Sequence, residues 1–137
     1  MLSLDTNVVV RLLVDDDAEQ RASAVRVWRE ALASGGIFLP TVVLVEVAWV
    51  VRASYGFDRA TIAQALRRLI DTEGVVVDRV GSVRRALDGF ESGAADFSDY
   101  VLLESSRLGG ALPVITFDQR FAREADVMLV PRFLAEP

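Results

Sequence analysis

Short apolar runs alternate with amphipathic segments along this chain, and this alternation restricts its fold more than any other feature of the sequence. Residues 75–77 are three consecutive valines, a run typical of a strand buried on both faces. Residues 59–71 instead place apolar side chains at helical spacing, namely Ile62, Leu66, Leu69 and Ile70. Alternation of this kind predicts an α/β fold, with a parallel sheet of about five strands and helices on both of its faces.

The predicted elements follow the order β-α-α-β-α-α-β-α-α-β-α-β. Strands are predicted at residues 2–5, 37–39, 75–77, 113–116 and 127–130, and helices at 8–14, 18–33, 41–55, 59–71, 82–90, 98–108 and, as a short segment, 117–124. Helix N-caps are expected at Thr6 or Asn7, and at Thr41, Asp58 and Ser98. Because the chain has no linker, repeat or low-complexity tract, residues 1–137 are predicted to form a single domain.

The composition removes several classes of chemistry. There is no Cys and no His, so thiol nucleophiles, cysteine zinc sites and histidine general bases are excluded. All 15 basic residues are Arg, which excludes a lysine Schiff base and a P-loop lysine. The net charge of −5 argues against a simple polyanion-binding module. Hydrolysis by this chain would therefore depend on carboxylates, hydroxyls, arginines or a bound metal.

The sequence predicts a soluble, cytoplasmic protein. No basic leader precedes the first apolar segment, which argues against a signal peptide. The longest apolar run, residues 42–51, carries Glu46 in its middle and is half the length of about 20 residues that a membrane span needs. The absence of Cys also suits a reducing compartment.

Acidic residues stand near the predicted strand ends, where open α/β sheets bind their ligands. Asp5 ends the first strand, Asp118 follows the fourth strand, and Asp96 and Asp99 open the helix that leads into that fourth strand. Each has a structural alternative. Asp5 could be a helix cap, Asp96 could be favourable charge at a helix N-terminus, and Asp118 could pair with Arg120 or Arg123. The hypothesis of a shared site therefore depends on several acids together.

Glu46 interrupts a helix that is otherwise apolar around it. Its neighbours one turn away are Val42, Val43, Trp49 and Val50. A buried lone carboxylate costs several kcal/mol unless it is paired or binds a metal, so the position favours a functional role. The alternative is that Glu46 lies on an exposed stripe of its helix. Trp49 is interpreted as a core or interface residue rather than a stacking platform.

The sequence resembles the PIN-domain family, and especially its small stand-alone bacterial members, the VapC-type toxins of toxin–antitoxin pairs. The matching segments are Leu4-Asp5-Thr6-Asn7, Val45-Glu46, Ala95-Asp96-Phe97-Ser98-Asp99 and Thr116-Phe117-Asp118. The resemblance covers essentially the whole chain. No single motif is specific, but the four at these separations form a consistent set.

The resemblance implies a metal-dependent endoribonuclease with a five-stranded parallel sheet. The acidic quartet holding Mg²⁺ or Mn²⁺ would be Asp5, Glu46, Asp99 and Asp118, with Asp96 as an additional acid. Thr6, Asn7 and Thr116 would orient ligands or water at the edge of the site. Arginines are candidates for phosphate contacts, namely Arg11, Arg107 and Arg120. An oxygen-only ligand set favours these hard cations over zinc.

The same resemblance implies partners and products. The substrate would be RNA, a cognate antitoxin would block the active-site groove, and the chain would form a homodimer. Water activated by the metal would leave 5′-phosphate and 3′-hydroxyl ends.

Other functions remain as alternatives. A nuclease or phosphatase outside a toxin–antitoxin system would use the same acids, and a catalytically silent PIN-fold binding protein would bind Mn²⁺ poorly. A receiver-type signalling domain also uses strand-end acids and Mg²⁺, but it needs a lysine that this chain lacks.

Overall fold

The computed structural model describes residues 1–135 of the chain. Its contacts divide into two compact units, Met1–Val80 and the chain from Gly81 onward, and each is described by itself. We call them the N-terminal unit and the C-terminal unit. The organisation of residues 1–137 as one domain stays a prediction.

Seven helices and five short strands alternate along the described residues. The N-terminal unit contains β1 (Leu2–Ser3), α1 (Thr6–Leu13), α2 (Ala18–Ser34), β2 (Ile37–Leu39), α3 (Thr41–Tyr55), α4 (Arg59–Asp71) and β3 (Val75–Val77). The remaining elements are α5 (Val80–Ser92), α6 (Phe97–Leu108), β4 (Val114–Thr116), a 3-10 turn (Phe121–Arg123), β5 (Val127–Leu129) and α7 (Val130–Ala135). Within residues 1–135, no helix combines the length and the apolar content needed to cross a bilayer.

All strand pairs are parallel, which confirms the predicted α/β class. In the N-terminal unit the strand order is β1-β2-β3, and Ile37 of β2 lies opposite both Leu2 and Val75. In the C-terminal unit β4 pairs with β5, with Val114 opposite Val127. The five predicted strands are therefore present, but they form ladders of three and two strands. Each strand has only two or three residues, so each ladder is short.

Several predicted boundaries were wrong by one or two residues because aspartates cap the helices earlier than expected. The first strand ends at Ser3, and Asp5 is the N-cap of α1. Asp96 rather than Ser98 is the N-cap of α6, and Pro40 rather than Thr41 occupies that position at α3. The cap expected at Asp58 is confirmed. Helix α7 was not predicted, because residues 127–130 were read as strand to their end.

The core of the N-terminal unit places the start of α1 next to the middle of α3. Helix α3 buries five side chains, Val43, Leu44, Val47, Ala48 and Val51, and it packs against α1 and α4. Burying each large aliphatic side chain contributes about 1.5–3 kcal/mol, so the packing of α1 on α3 is firmly held. Asp5 and Thr6 begin α1, and Glu46 lies halfway along α3. Their proximity follows from this helix contact.

The C-terminal unit is built on apolar faces of α5 and α6. Helix α5 buries Val83, Ala86, Leu87 and Phe90, and α6 buries Phe97, Tyr100 and Leu103. The rings of Phe90 and Phe97 meet edge to face, with centroids 5.9 Å apart. Such aromatic pairs contribute about 0.5–1.5 kcal/mol beyond the area they bury. The contact fixes the start of α6, where Asp96 and Asp99 lie.

Candidate active site

Two predicted site residues of the N-terminal unit are joined directly by a hydrogen bond. The Thr6 hydroxyl donates to Oε2 of Glu46 at 2.6 Å, although 40 residues separate them in the chain. Asp5 accepts a hydrogen bond from the Thr6 backbone N–H through Oδ1 at 2.7 Å. These three residues and Asn7 line a surface cavity of about 350 Å³. The structure thus brings Asp5, Thr6, Asn7 and Glu46 together, as the sequence predicted.

Glu46 is exposed, so the argument that its burial would demand a metal or a partner was wrong. Val42 and Trp49, which precede and follow it by one turn, are 60% and 68% exposed. Glu46 therefore lies on an exposed stripe of α3, but that stripe is apolar on both sides of the carboxylate. The apolar neighbours misled the prediction because they cover solvent-facing surface rather than core. Trp49 is accordingly not a core residue.

Arg11, one of the three arginines predicted to contact substrate, is engaged inside the N-terminal unit. Its guanidinium donates to Gln20 at 2.7 Å, to Asp16 at 2.5 Å and to the Tyr55 hydroxyl at 3.2 Å. The Tyr55 hydroxyl in turn donates to Asp16 at 2.7 Å. Bonding to Tyr55 is the main reason that the pKa of Arg11 is raised and that of Asp16 is lowered. The network joins α1, the start of α2 and the end of α3 beside the cavity.

In the C-terminal unit, Asp96 and Asp99 form the start of α6 together. Asp96 is the N-cap and Asp99 is the third helical residue, and the two make a capping box. The Asp96 backbone N–H donates to Oδ2 of Asp99 at 3.1 Å. Both acids therefore have a structural role. They accept hydrogen bonds from backbone N–H groups that have no intrahelical partners at the start of a helix.

Among the acids of the predicted set, Asp99 has a shifted pKa. Its side chain is half-buried, and this partial burial raises its pKa above the ordinary value of 3.8. The hydrogen bond from the Asp96 backbone opposes the rise, whereas the negative charges of Asp96 and Asp118 add to it. The carboxylate of Asp99 thus lies in a negative field that a bound cation would relieve.

Asp118 is held in a rigid turn after β4. Its backbone N–H donates to the Thr116 hydroxyl at 3.0 Å. Its Oδ1 accepts from the backbone N–H groups of Arg120 at 2.8 Å and Phe121 at 3.3 Å. The Arg120 bond to Asp118 thus comes from the Arg120 backbone. The alternative role of Asp118 as the partner of an arginine side chain would need an ion pair instead. Thr116 fixes the turn, and its role in orienting ligands or water stays a prediction.

The other two arginines differ in their surroundings. Arg107 donates to Glu104 at 2.8 Å, to Asp126 at 3.2 Å and to the Ala125 carbonyl at 3.2 Å. Burial lowers the pKa of Arg107, but its bonds to Glu104 and Asp126 raise it by more, so the net shift is upward. These contacts give Arg107 a structural role. Arg120 is exposed two residues after Asp118, and its role as a phosphate contact stays a prediction.

Tyr100 is a positioning residue that the sequence analysis missed. Its hydroxyl donates to Glu124 at 2.6 Å and accepts from the Ala95 backbone N–H at 3.4 Å. A Cβ on Gly93 would lie 1.7 Å from this hydroxyl, so only glycine fits beneath the ring. Tyr100 follows Asp99 directly in α6. Gly93, which precedes α6, was the available signal, but the sequence analysis assigned it no role.

The side chains of the predicted set fit a hard divalent cation chemically. Carboxylate and hydroxyl oxygens are the ligands that Mg²⁺ and Mn²⁺ prefer. Within the described residues, no three Asp or Glu side chains are grouped closely enough to be identified as a metal site.

A comparison with protein families identifies the chain. The PIN domain family matches residues 2–127. The chain belongs to the PIN domain family. The match spans both compact units and includes every acid of the predicted set. No curated protein matches the chain.

Membership confirms the resemblance at the level of the family. PIN domains are typically nucleases that use divalent metal ions, so the chain is assigned to this general class of hydrolase. The α/β architecture with parallel strands agrees with the PIN fold.

Proposed function

We propose that this PIN domain is a Mg²⁺- or Mn²⁺-dependent endoribonuclease whose metal is held by Asp5, Glu46, Asp99 and Asp118. The observation that carries the proposal is the grouping of Asp5, Thr6, Asn7 and Glu46 around one cavity, in a chain that belongs to the PIN domain family. A cation bound there would activate water and offset charge on the phosphodiester transition state.

The chain's own residues have distinct tasks in this proposal. Asp5 and Asp118 each use one carboxylate oxygen in a local hydrogen bond, which fixes the direction of the second oxygen. Thr6 orients Glu46 through its hydroxyl, and Thr116 fixes the turn that carries Asp118. Hydrogen-bonding partners of metal ligands commonly affect metal affinity by about 10- to 100-fold, so these threonines should matter to activity.

Asp96 and Asn7 complete the edge of the proposed site. Asp96 caps α6 and contributes negative charge beside Asp99, so it would strengthen cation binding without being a required ligand. Asn7 is exposed and lines the same cavity as Asp5 and Glu46, where its amide could hold water or a phosphate oxygen. Arg120 is the arginine best placed to meet substrate, because its guanidinium is exposed near Asp118.

We further propose that the chain acts as a VapC-type toxin in the cytoplasm, as a homodimer that a cognate antitoxin inhibits. Its four motifs and the absence of Cys support this role. Hydrophobic residues make up 52% of the chain, which supports an apolar interface with a second copy. Expression of the wild type should arrest growth of a bacterial host, whereas Asp99→Asn should not.

The activity is tested by incubating the purified chain with total RNA in Mn²⁺, in Mg²⁺, and in EDTA. We expect cleavage with either cation, no cleavage in EDTA, and new ends that carry 5′-phosphate and 3′-hydroxyl groups. Asp99→Asn should be inactive, and the exposed Asp15→Asn is the matched control for removal of one negative charge.

Two results would contradict the proposal. Cleavage that persists in EDTA would exclude the metal mechanism, and full activity of Asp99→Asn would exclude the assigned ligand set. Absence of any cleavage together with weak Mn²⁺ binding would instead support a catalytically silent binding protein. Hydrolysis of phosphomonoesters without cleavage of RNA would support a phosphatase.

A further inference from the structure

The described aromatic side chains that are most exposed each adjoin a different acid of the proposed site. Phe117 is 81% exposed and immediately precedes Asp118. Trp49 is 68% exposed and lies one turn after Glu46 on α3. The next aromatic side chain in order of exposure, Phe133 of α7, is 50% exposed and adjoins none of the proposed acids.

The exposure of Phe117 is built into the turn that carries it. Thr116 and Asp118 are joined by a hydrogen bond across Phe117, and Asp118 then bonds the backbone of Phe121. In the same turn Phe121 is only 2% exposed. The fixed turn therefore directs one phenylalanine into the core and the other into solvent. An apolar ring held in water by a rigid backbone loses the favourable free energy of burial unless a ligand covers it.

Trp49 is exposed for a similar reason. Val47, Ala48 and Val51 of α3 face the core, so the rotation of the helix that buries them turns Glu46 and Trp49 outward together. Residues three apart on a helix lie on the same side of it, which places the indole beside the carboxylate.

The charge of the chain indicates how it could hold a nucleic acid. The net charge is −5, and two of the three arginines considered as phosphate contacts already bond acidic side chains. Phosphate contacts alone would therefore bind RNA weakly. Stacking on an aromatic ring needs no cation and tolerates any base, but it requires a base that is not already stacked in a duplex.

We propose that Phe117 and Trp49 each stack on an unpaired base of single-stranded RNA, beside the acid that each adjoins. The inference rests on the proposed ribonuclease function and names its substrate class. Binding by stacking makes the enzyme select single strands or loops over duplex RNA. It also predicts an affinity that depends weakly on salt, because few counterions are released from the RNA.

The test measures binding of a single-stranded RNA of about ten nucleotides, with Ca²⁺ in place of the catalytic metal. Phe117→Ala and Trp49→Ala should each weaken binding by about 5- to 100-fold. Phe117→Tyr and Trp49→Phe retain a ring and should bind like the wild type. Phe133→Ala, which removes another exposed ring, is the matched control. Thermal melting of each variant verifies that it is folded.

The RNA provides a second comparison. An oligomer of the same length with abasic positions should bind the wild type weakly. Its affinity should equal that of the base-bearing RNA for the alanine variants. Quenching of Trp49 fluorescence, measured in a Trp28→Phe variant, should accompany binding of the base-bearing RNA only. A duplex of the same sequence should bind poorly.

Other outcomes would overturn the inference. Equal affinities of the wild type and both alanine variants for RNA, or equal affinities for the abasic and base-bearing oligomers, would exclude stacking. If Trp49→Ala changes the oligomeric state and leaves RNA affinity intact, that ring covers a protein interface instead. If the wild type cleaves RNA, the ribonuclease function stands whatever the stacking experiments show. A chain that neither binds nor cleaves RNA would refute both the stacking inference and the ribonuclease function.

Discussion

Replacing Asp99 with Asn separates the cost of its charge from its structural role. The side chain is half-buried, and its burial together with the charges of Asp96 and Asp118 raises its pKa. An asparagine carbonyl oxygen can still accept the hydrogen bond that Oδ2 receives from the Asp96 backbone. The substitution should therefore remove the repulsion and keep the capping box. Without metal, we expect the variant to be more stable than the wild type. With metal, we expect it to be inactive.

The sign of the pH dependence follows from the raised pKa. A carboxyl group whose pKa is higher in the folded state favours folding when it is protonated, and that contribution is lost as the pH rises through the folded pKa. Ionised Asp99 thus destabilises the fold at pH 7, whereas below the ordinary pKa of 3.8 it is neutral in both states. The stability gained by Asp99→Asn should be greatest at neutral pH and vanish in acid.

The magnitude is modest because solvent screens a half-buried group. Repulsion from two neighbouring carboxylates at the surface amounts to about 0.5–1 kcal/mol in all. For a chain of this length, that free energy corresponds to a rise in Tm of about 2–5 °C. Loss of a metal ligand should at the same time lower cleavage by at least about 100-fold.

The assay is thermal melting in EDTA and in Mn²⁺ across the acidic to neutral pH range, with RNA cleavage measured in parallel. In EDTA at pH 7, Asp99→Asn should melt above the wild type. In excess Mn²⁺ the order should reverse, because only the wild type binds the cation tightly. Asp15→Asn, which removes an exposed charge, should alter neither property. A variant less stable than the wild type at pH 7 in EDTA would refute the reasoning.

Three other substitutions separate structural roles from roles in the site. Glu46→Gln should abolish cleavage in the RNA assay but change the free energy of unfolding by no more than about 0.5 kcal/mol, because the side chain is exposed. Thr6→Val removes the hydroxyl that bonds Glu46 and should weaken Mn²⁺ binding by about 10-fold in calorimetry, whereas Thr6→Ser should not. Arg107→Ala leaves buried Glu104 with fewer partners and should cost about 2–3 kcal/mol in denaturant unfolding. The exposed pair of Arg26 with Glu30 is its control, and equal losses in Arg26→Ala and Arg107→Ala would contradict the argument.

The class and order of the elements could be predicted from the sequence because they depend on local periodicity. The strand at Val75–Val77 and the helix Arg59–Asp71 are found at the predicted bounds, since the valine run and the spacing from Ile62 to Ile70 each favour one structure. The helix ends were harder. An aspartate can satisfy the first backbone N–H groups from more than one position, so Asp96 and Asp5 began their helices earlier than the sequence suggested.

The residues of the proposed site stay a prediction, and the sequence predicted their surroundings only partly. The hydrogen bond from Thr6 to Glu46 agrees with the predicted grouping in the N-terminal unit. The burial of Glu46 was predicted wrongly, because apolar neighbours on a helix do not reveal which face meets the core. The engagement of Arg11 by Asp16 and Tyr55 could not be foreseen, since it depends on helix packing across more than 40 residues of chain.

The measurement that tests the central claim most directly is calorimetric titration of Mn²⁺ into the wild type, Asp5→Asn and Asp99→Asn. If Asp5 and Asp99 are ligands of the same metal, each substitution should remove or weaken the same binding event and abolish RNA cleavage. If Asp99→Asn binds Mn²⁺ as the wild type does, or if each substitution removes a separate event and leaves the other intact, the proposed shared metal site is wrong.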